Sequence, residues 1–339
     1  MTTSIKPRIA LLAAPESTPS VLFGLYDVLI SVGAVYPDMT GRPVGEPLLD
    51  VQIVAAEARP FRCFGNILIE PHAAIASLAT VDAVVVCDMY TPIDTAPQGR
   101  YGAEIAWLQR LHTQGALIAS VCSGSLVLAE AGLLDGRACA GHWAYRELFR
   151  RQYPKVDYRA DAILRLDSEA EGVVTAGGVT AWQELALRLI SRFCGPAHAL
   201  QTAKVYLLSG HEDGQLPFAD MGLQVQADDQ AIKHCQEWIA EHFAQANPVE
   251  TMSQRAGLTR RTFMRRFRAA TGQLPMDYVH ALRVERAKRI IEQQAGGLDE
   301  VAFEVGYEDP SFFRRLFKRK VGLTPAAYRR KFASVLGEP

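Results

Sequence analysis

Cys122, in the stretch SVCSGSLVLAE at 120–130, is the residue whose setting most suggests chemistry. It ends an apolar run, Gly115–Val121, and a small-residue segment that reads as the opening of a helix follows. A sharp strand-to-helix turn of that kind displays a nucleophile. The positive end of a helix favours a thiolate, and the amides of the turn could hold an oxyanion. Covalent catalysis also needs a base or acid partner. The commonest state of a lone cysteine is a buried, inert thiol, so both readings stay open. The six cysteines (Cys63, Cys87, Cys122, Cys139, Cys194, Cys235) form no CxxC pair, and the eight histidines form no HxxxH or Cys/His cluster. Neither a disulfide framework, a zinc site nor a cofactor is indicated, and a reducing cytoplasm is the expected setting.

The second set of residues is basic. Residues 251–331 hold 18 Lys and Arg against 8 Asp and Glu, a net of +10, while the remaining 258 residues have a net of −11. Such asymmetry points to a nucleic-acid-binding part joined to an acidic part. The basic part repeats itself. SQRAGLTRRTFMRRFRAATGQLPMDYV (253–279) matches AFEVGYEDPSFFRRLFKRKVGLTPAAYR (302–329). Gly257 pairs with Gly306 at an offset of 49, and Phe263, Arg265, Phe267, Gly272, Pro275 and Tyr278 find the same residue type 50 positions on. One structural unit is therefore used twice. In each, a short helix ends at a glycine suited to a tight turn, and a second helix follows. Phe263 and Phe267 share a buried face, which leaves Arg260, Arg261, Arg265 and Arg268 largely outside. In the second unit Phe313 and Phe317 are buried, with Ser311, Arg314, Arg315 and Lys318 near or on the open side. An apolar rear and an arginine-rich front suit the DNA major groove, although a solvated basic face has the same pattern. Arginine bonds guanine edges or phosphates, and the sequence does not divide the two roles.

The acidic half must position Cys122. RIALLAA (8–14), LDVQIVAA (49–56), DAVVVC (82–87) and ALIASV (116–121) read as buried strands, alternating with helical patterns at Pro19–Gly33, Tyr101–His112 and Ser123–Ala131. AILRLD (162–167) and GVVTAGG (172–178) precede a helix over Val179–Phe193. The expected fold is a flavodoxin-like, doubly wound, mostly parallel sheet, with ligands beyond the carboxyl ends of its strands, where Cys122 lies. The opening MTTSIKPRIALLAAPEST reads as leading into a first strand rather than as a signal peptide. No run reaches the roughly 18 apolar residues of a membrane helix. Domains are expected at 1–210 and 230–335, with a linker at 211–229. The second should be all helical, with helix-turn-helix units at about 249–269 and 299–320.

The stretch from AGLTRRTFMRRF to GYEDPSFFRRLFKRKVGLTPAAYRRKF resembles the AraC/XylS family of transcription regulators nearly throughout. The resemblance implies two DNA-reading units joined by a long helix, here about Met276–Gln293. They would face successive major grooves about 34 Å apart. It gives more of the reading to the first unit, with Thr259, Arg260, Thr262, Arg265 and Arg266 as candidates. Arg261 and the second-unit residues Ser311, Arg314, Arg315 and Lys318 complete the DNA-binding set.

The first half resembles the PfpI-like branch of the class I glutamine amidotransferase-like superfamily, on SVCSGSLVLAEAGLLDGRACAGHW (120–143), GLYDVL (24–29) and TAGGVTAWQELAL (175–187). The resemblance implies a cleft lined by Cys122, Ser123, His142 and Glu16. Active relatives often have His directly after the cysteine, where this chain has Ser123. Their loop acid falls near Val21, with Glu16 a substitute at a different spacing. GHW is equally readable as a packing motif. The implied function is a DNA-binding regulator, an activator, whose former active site senses a small metabolite such as an amino acid or quaternary amine. A homodimer, promoter half-sites and RNA polymerase are the implied partners. The alternatives are a retained cysteine-dependent hydratase or amidase and a pure dimerisation module.

Overall fold

A computed structural model of the protein describes residues 6–166, 172–220, 229–293 and 296–336. The chain divides into two compact units at Gln215–Leu216. The strands of the first unit are β1 (Arg8–Leu12), β2 (Asp50–Ala55), β3 (Phe61–Arg62), β4 (Leu68–Ile69), β5 (Ala73–Ala74), β6 (Ala83–Val86), β7 (Leu117–Val121), β8 (Ala138–Cys139), β9 (Asp157–Tyr158), β10 (Leu164–Leu166) and β11 (Val173–Ala176). Its helices are α1 (Pro19–Ile30), α2 (Val35–Met39), α3 (Gly102–Thr113), α4 (Gly124–Glu130), α5 (Arg146–Gln152), α6 (Trp182–Cys194) and α7 (Pro196–Tyr206).

Seven strands form one sheet in the order β10-β11-β7-β6-β1-β2-β5. All neighbours are parallel except β10 and β11. The fold class is the expected doubly wound one. Alternation along β1 shows why both faces need helices: Ile9 and Leu11 join the core with α1 and α6, while Ala10 and Leu12 join the core with α3, α4 and α5. A parallel strand bonded on both sides must be apolar on both faces. That is the source of the unbroken hydrophobic runs in the sequence. Asp167, the expected end of the strand at 162–167, lies outside the described residues, as does the 221–228 part of the expected linker.

His211–Gln215, also expected in the linker, is built into the first unit. His211 N and Nδ1 contact Glu184 Oε1 at 2.7 and 2.6 Å. Gln215 Nε2 donates to Gly141 O (2.9 Å) and Ala162 O (2.7 Å).

The second unit holds α8 (Gln230–Glu241), α9 (Pro248–Arg255), α10 (Arg260–Thr271), α11 (Pro275–Gln293), α12 (Leu298–Glu304), α13 (Pro310–Val321) and α14 (Pro325–Leu336), with no strand among the described residues. It has two separate apolar cores. Ile232, Ile239, Met252, Phe263, Phe267, Tyr278 and Val279 make one. Val284, Ala287, Ile291, Val301, Phe313, Leu316, Phe317 and Tyr328 are among those making the other. Full burial of each phenylalanine contributes about 1.5–3 kcal/mol. Each repeat thus anchors its second helix through the pair of aromatic residues four apart.

Candidate functional site

The elbow is real in its geometry. β7 ends at Val121 and α4 begins at Gly124, so the chain must reverse direction within two residues. Cys122 does this with φ of +54°, a left-handed conformation that costs a non-glycine residue free energy. Its N–H still donates to Ala176 O at 2.9 Å, which holds the strained residue to β11. Gly124 has to be glycine, because a Cβ there would lie 2.4 Å from Val86 O. The CSG sequence therefore reflects the tight approach of α4 to the end of β6.

The carboxylate facing Cys122 is Asp88, which the sequence reading did not single out. It is 5% exposed and lies two residues past the end of β6. Asp88 Oδ1 accepts from Ser123 N (3.2 Å) and Ser123 Oγ (2.6 Å), and Oδ2 accepts from Thr18 Oγ1 (2.5 Å). Burial, then the charge of Asp88 and its hydrogen bond, push the Cys122 thiol well above its ordinary range. The N-terminus of α4 alone predicts a lowered value. It is outweighed because Cys122 is buried, 4% exposed, beside an acid. The sequence signal for Asp88 was available: a carboxylate at the carboxyl end of an apolar strand next to the one that carries Cys122.

The four expected pocket residues take different positions. Cys122 and Ser123 meet at Asp88. His142 is half-buried, accepts from Ala144 N at Nδ1 (3.2 Å) and is shifted toward its neutral form by burial, with the charge of Asp88 opposing. Tyr145 belongs to the same neighbourhood: its hydroxyl donates to Thr91 O (2.6 Å), and burial, Cys122 and Asp88 raise its pKa. Glu16 is engaged elsewhere. Its carboxylate accepts from Arg100 and from Tyr101 Oη (3.1 Å). The loop after β1 nonetheless lies against the loop after β6, since Tyr90 N donates to Glu16 O (2.8 Å). No group of His, Cys, Asp and Glu among the described residues could hold a metal ion.

The basic surface is built on α10 and α13. Thr259 caps α10, its hydroxyl accepting from Thr262 N (3.4 Å). Asp309 caps α13 by accepting from Ser311 N (2.8 Å), and Pro310 opens that helix with the fixed φ a first turn needs. Thr259, Arg260, Arg261 and Arg265 are exposed on α10, as is Arg268. Thr262 is half-buried. Ser311, Arg314, Arg315 and Lys318 are exposed on α13. Arg266 differs from its neighbours: it is half-buried and forms a two-pronged pair with Asp229, Nε–Oδ2 at 2.8 Å and Nη2–Oδ1 at 2.7 Å. Arg314 pairs with Asp299 at the surface. The remaining guanidinium groups present donors in a fixed fork to whatever meets the helix face, the chemistry that reads guanine edges and phosphates.

Comparison with known proteins accounts for both halves. Residues 45–192 match the DJ-1/PfpI family, and residues 252–331 match the helix-turn-helix domain family. The HTH-type transcriptional regulator CdhR of Pseudomonas aeruginosa is 26% identical over 309 residues, covering 90% of this chain and 88% of its own. The HTH-type transcriptional regulator GbdR of Pseudomonas aeruginosa is 25% identical over 331 residues, covering 96% and 86%. The crystal structure of a proposed transcriptional regulator of Vibrio parahaemolyticus shares the fold over 60% of this chain and all of its own, with a TM-score of 0.50 at 18% identity. The chain thus joins a DJ-1/PfpI domain to an AraC-type helix-turn-helix domain and is a DNA-binding transcriptional regulator of that two-domain kind.

Proposed function

We propose that the first unit is a sensor whose elbow cleft binds a small metabolite without transforming it, and that binding shifts the affinity of the second unit for DNA. The observation that carries this is the setting of Cys122, 4% exposed beside the buried Asp88, where burial and then that acid raise the pKa of the thiol. The thiolate is the nucleophile, so a raised pKa removes the reactive form at neutral pH. The groups gathered around Cys122 are a buried acid, an imidazole at His142 shifted toward its neutral form and the Tyr145 ring, a set suited to a small polar or cationic molecule such as an amino acid or quaternary amine. Gln215 supports a route outward, because Trp143 N donates to its Oε1 (3.3 Å) and the chain passes into the second unit one residue later. A ligand changes DNA affinity only by its differential affinity for two arrangements of the protein.

In this reading the protein is a cytoplasmic activator that works as a homodimer on repeated half-sites and contacts RNA polymerase. Thr259, Arg260, Arg261, Thr262 and Arg265, with Ser311, Arg315 and Lys318, face DNA. Arg266 and Arg314 contribute less, because each already answers an acid of its own unit. The second reading, cysteine-dependent catalysis, draws on the strained backbone of Cys122, a feature of functional turns.

A thermal-shift screen of wild type and Cys122→Ala against amino acids, betaines, amines and nitriles separates the two. A ligand at about 100 times its dissociation constant adds about 2.7 kcal/mol. The sensor reading expects a compound that stabilises the protein and is recovered unchanged. Turnover that needs Cys122 would establish the enzyme instead. Iodoacetamide provides a second check: Cys122 should label slowly at pH 7 and somewhat faster in Asp88→Asn, which keeps the burial that raises the thiol most and removes the acid's charge that adds to it. The same raised pKa makes stability fall as pH rises past the ordinary thiol value near 9.0, because the folded state then retains a proton that the unfolded chain releases.

A further inference from the structure

The two apolar cores of the second unit do not merge, although α11 runs through both. Val279 belongs to the first core and Val284 to the second. Arg283 stands at that seam, 5% exposed. Its guanidinium donates to three backbone carbonyls: Phe243 O (Nε, 2.7 Å), Gln245 O (Nη2, 3.0 Å) and Gly306 O (Nη1, 2.7 Å). The first two belong to the α8–α9 loop that leads into the first helix-turn-helix. The third is the turn of the second helix-turn-helix. The same two segments touch directly, since a Cβ on Gly306 would lie 2.5 Å from Ala244 O. The Phe243 side chain packs against the second core, and the Arg283 guanidinium lies 5.0 Å from the centroid of the Tyr307 ring.

We infer that Arg283 is the positioning residue that fixes the two recognition helices, α10 and α13, at one spacing for DNA. Only arginine carries enough donors, in a rigid fork, to satisfy carbonyls from two loops at once. Burying a charge is costly unless its hydrogen bonds are met, and apolar side chains would have joined the cores without that cost. What the fork adds is geometry: α11 joins two bodies whose cores stay apart, and three directed bonds across the seam, beside the contacts of Phe243 and Ala244, restrict hinging about that helix. Two units held rigidly bind two groove segments as one ligand, and they do so only at the matching separation.

The test uses the full chain. Duplexes enriched from a random pool by wild type are footprinted. Affinity is then measured for an enriched duplex and for derivatives with two base pairs inserted between the protected segments. Wild type should lose about 100-fold on insertion. Arg283→Met should lose about tenfold or less on insertion, because a hinged pair adapts to both spacings. The readout is a ratio of two affinities for one protein, so a partly unfolded fraction cancels, which a merely stabilising role would leave unchanged. If circular dichroism shows Arg283→Met unfolded, Arg283→Lys decides by the same ratio, since it keeps the charge and lacks the fork. A folded variant with the wild-type ratio overturns the proposal. Failure of wild type to enrich any duplex would defeat DNA reading itself, a result distinct from an unchanged ratio.

Discussion

In the first helix-turn-helix unit the turn glycine, Gly257 (φ +64°), has open space where a side chain would stand; in the second, a Cβ on Gly306 (φ +87°) would press on the backbone of Ala244. Both turns need a left-handed residue, so the sequence repeats the glycine. Only the second turn is also a packing surface. The recognition helices differ in a related way. α10 gives Arg266 to Asp229 just ahead of α8, while α13 gives Arg314 to Asp299 in α12, within its own unit. A duplicated sequence therefore encodes a duplicated fold, and the contacts that divide the labour come from what each copy is packed against.

The comparison is most exposed at the glycines. Gly306→Ala combines a disfavoured φ with an overpacked contact and should cost about 3–5 kcal/mol, against about 1 kcal/mol for Gly257→Ala. Urea unfolding followed by helical circular dichroism reads both, and equal losses would erase the distinction between the turns. Next come the arginines of α10. Arg265→Ala should lose about 1–3 kcal/mol of binding to an enriched duplex. Arg266→Ala should lose less, because its guanidinium is already committed. Lys331→Ala should stay near wild type, since that ammonium lies 5.2 Å from the centroid of the Phe218 ring. Equal affinities for the three variants would remove α10 as the reading helix. The caps sharpen the comparison further: Thr259→Ala and Asp309→Ala should each cost about 1 kcal/mol of stability. A cost at one helix alone would mean that the other is held by its packing. The smallest effect is in salt dependence. If Arg315 contacts a phosphate, Arg315→Ala lowers the slope of log affinity against log salt by about 0.9, and an unchanged slope assigns it to a base edge or to solvent.

Much of this was legible because repetition and alternation are local signals. The apolar runs at 8–14, 82–87 and 116–121 became β1, β6 and β7, since a strand buried on both faces has no polar position to spare. The 50-residue offset of the aromatic pairs located α10 and α13. The surroundings of Cys122 were less legible. Glu16 is near in the chain to the right loop, but its carboxylate turns to Arg100 and Tyr101, while Asp88 arrives from a strand that the sequence places far from Cys122. Gln215 looked like linker because its partners, Gly141 and Ala162, lie more than fifty residues upstream. Arg283 looked like one more basic residue in a basic region.

By itself the sequence determined the elements, the duplication, the turn glycines and the excess of positive charge on the second half, because each follows from residue type and short-range periodicity. Tertiary structure decided the charge state of Cys122, the engagement of Arg266 and the bracing of the second turn by Arg283. Those properties depend on which groups are brought within hydrogen-bonding distance and removed from water. Burial beside an acid reverses what a helix N-terminus alone would do to a thiol, and a buried fork of donors makes a positioning device of a residue that composition counts only as charge.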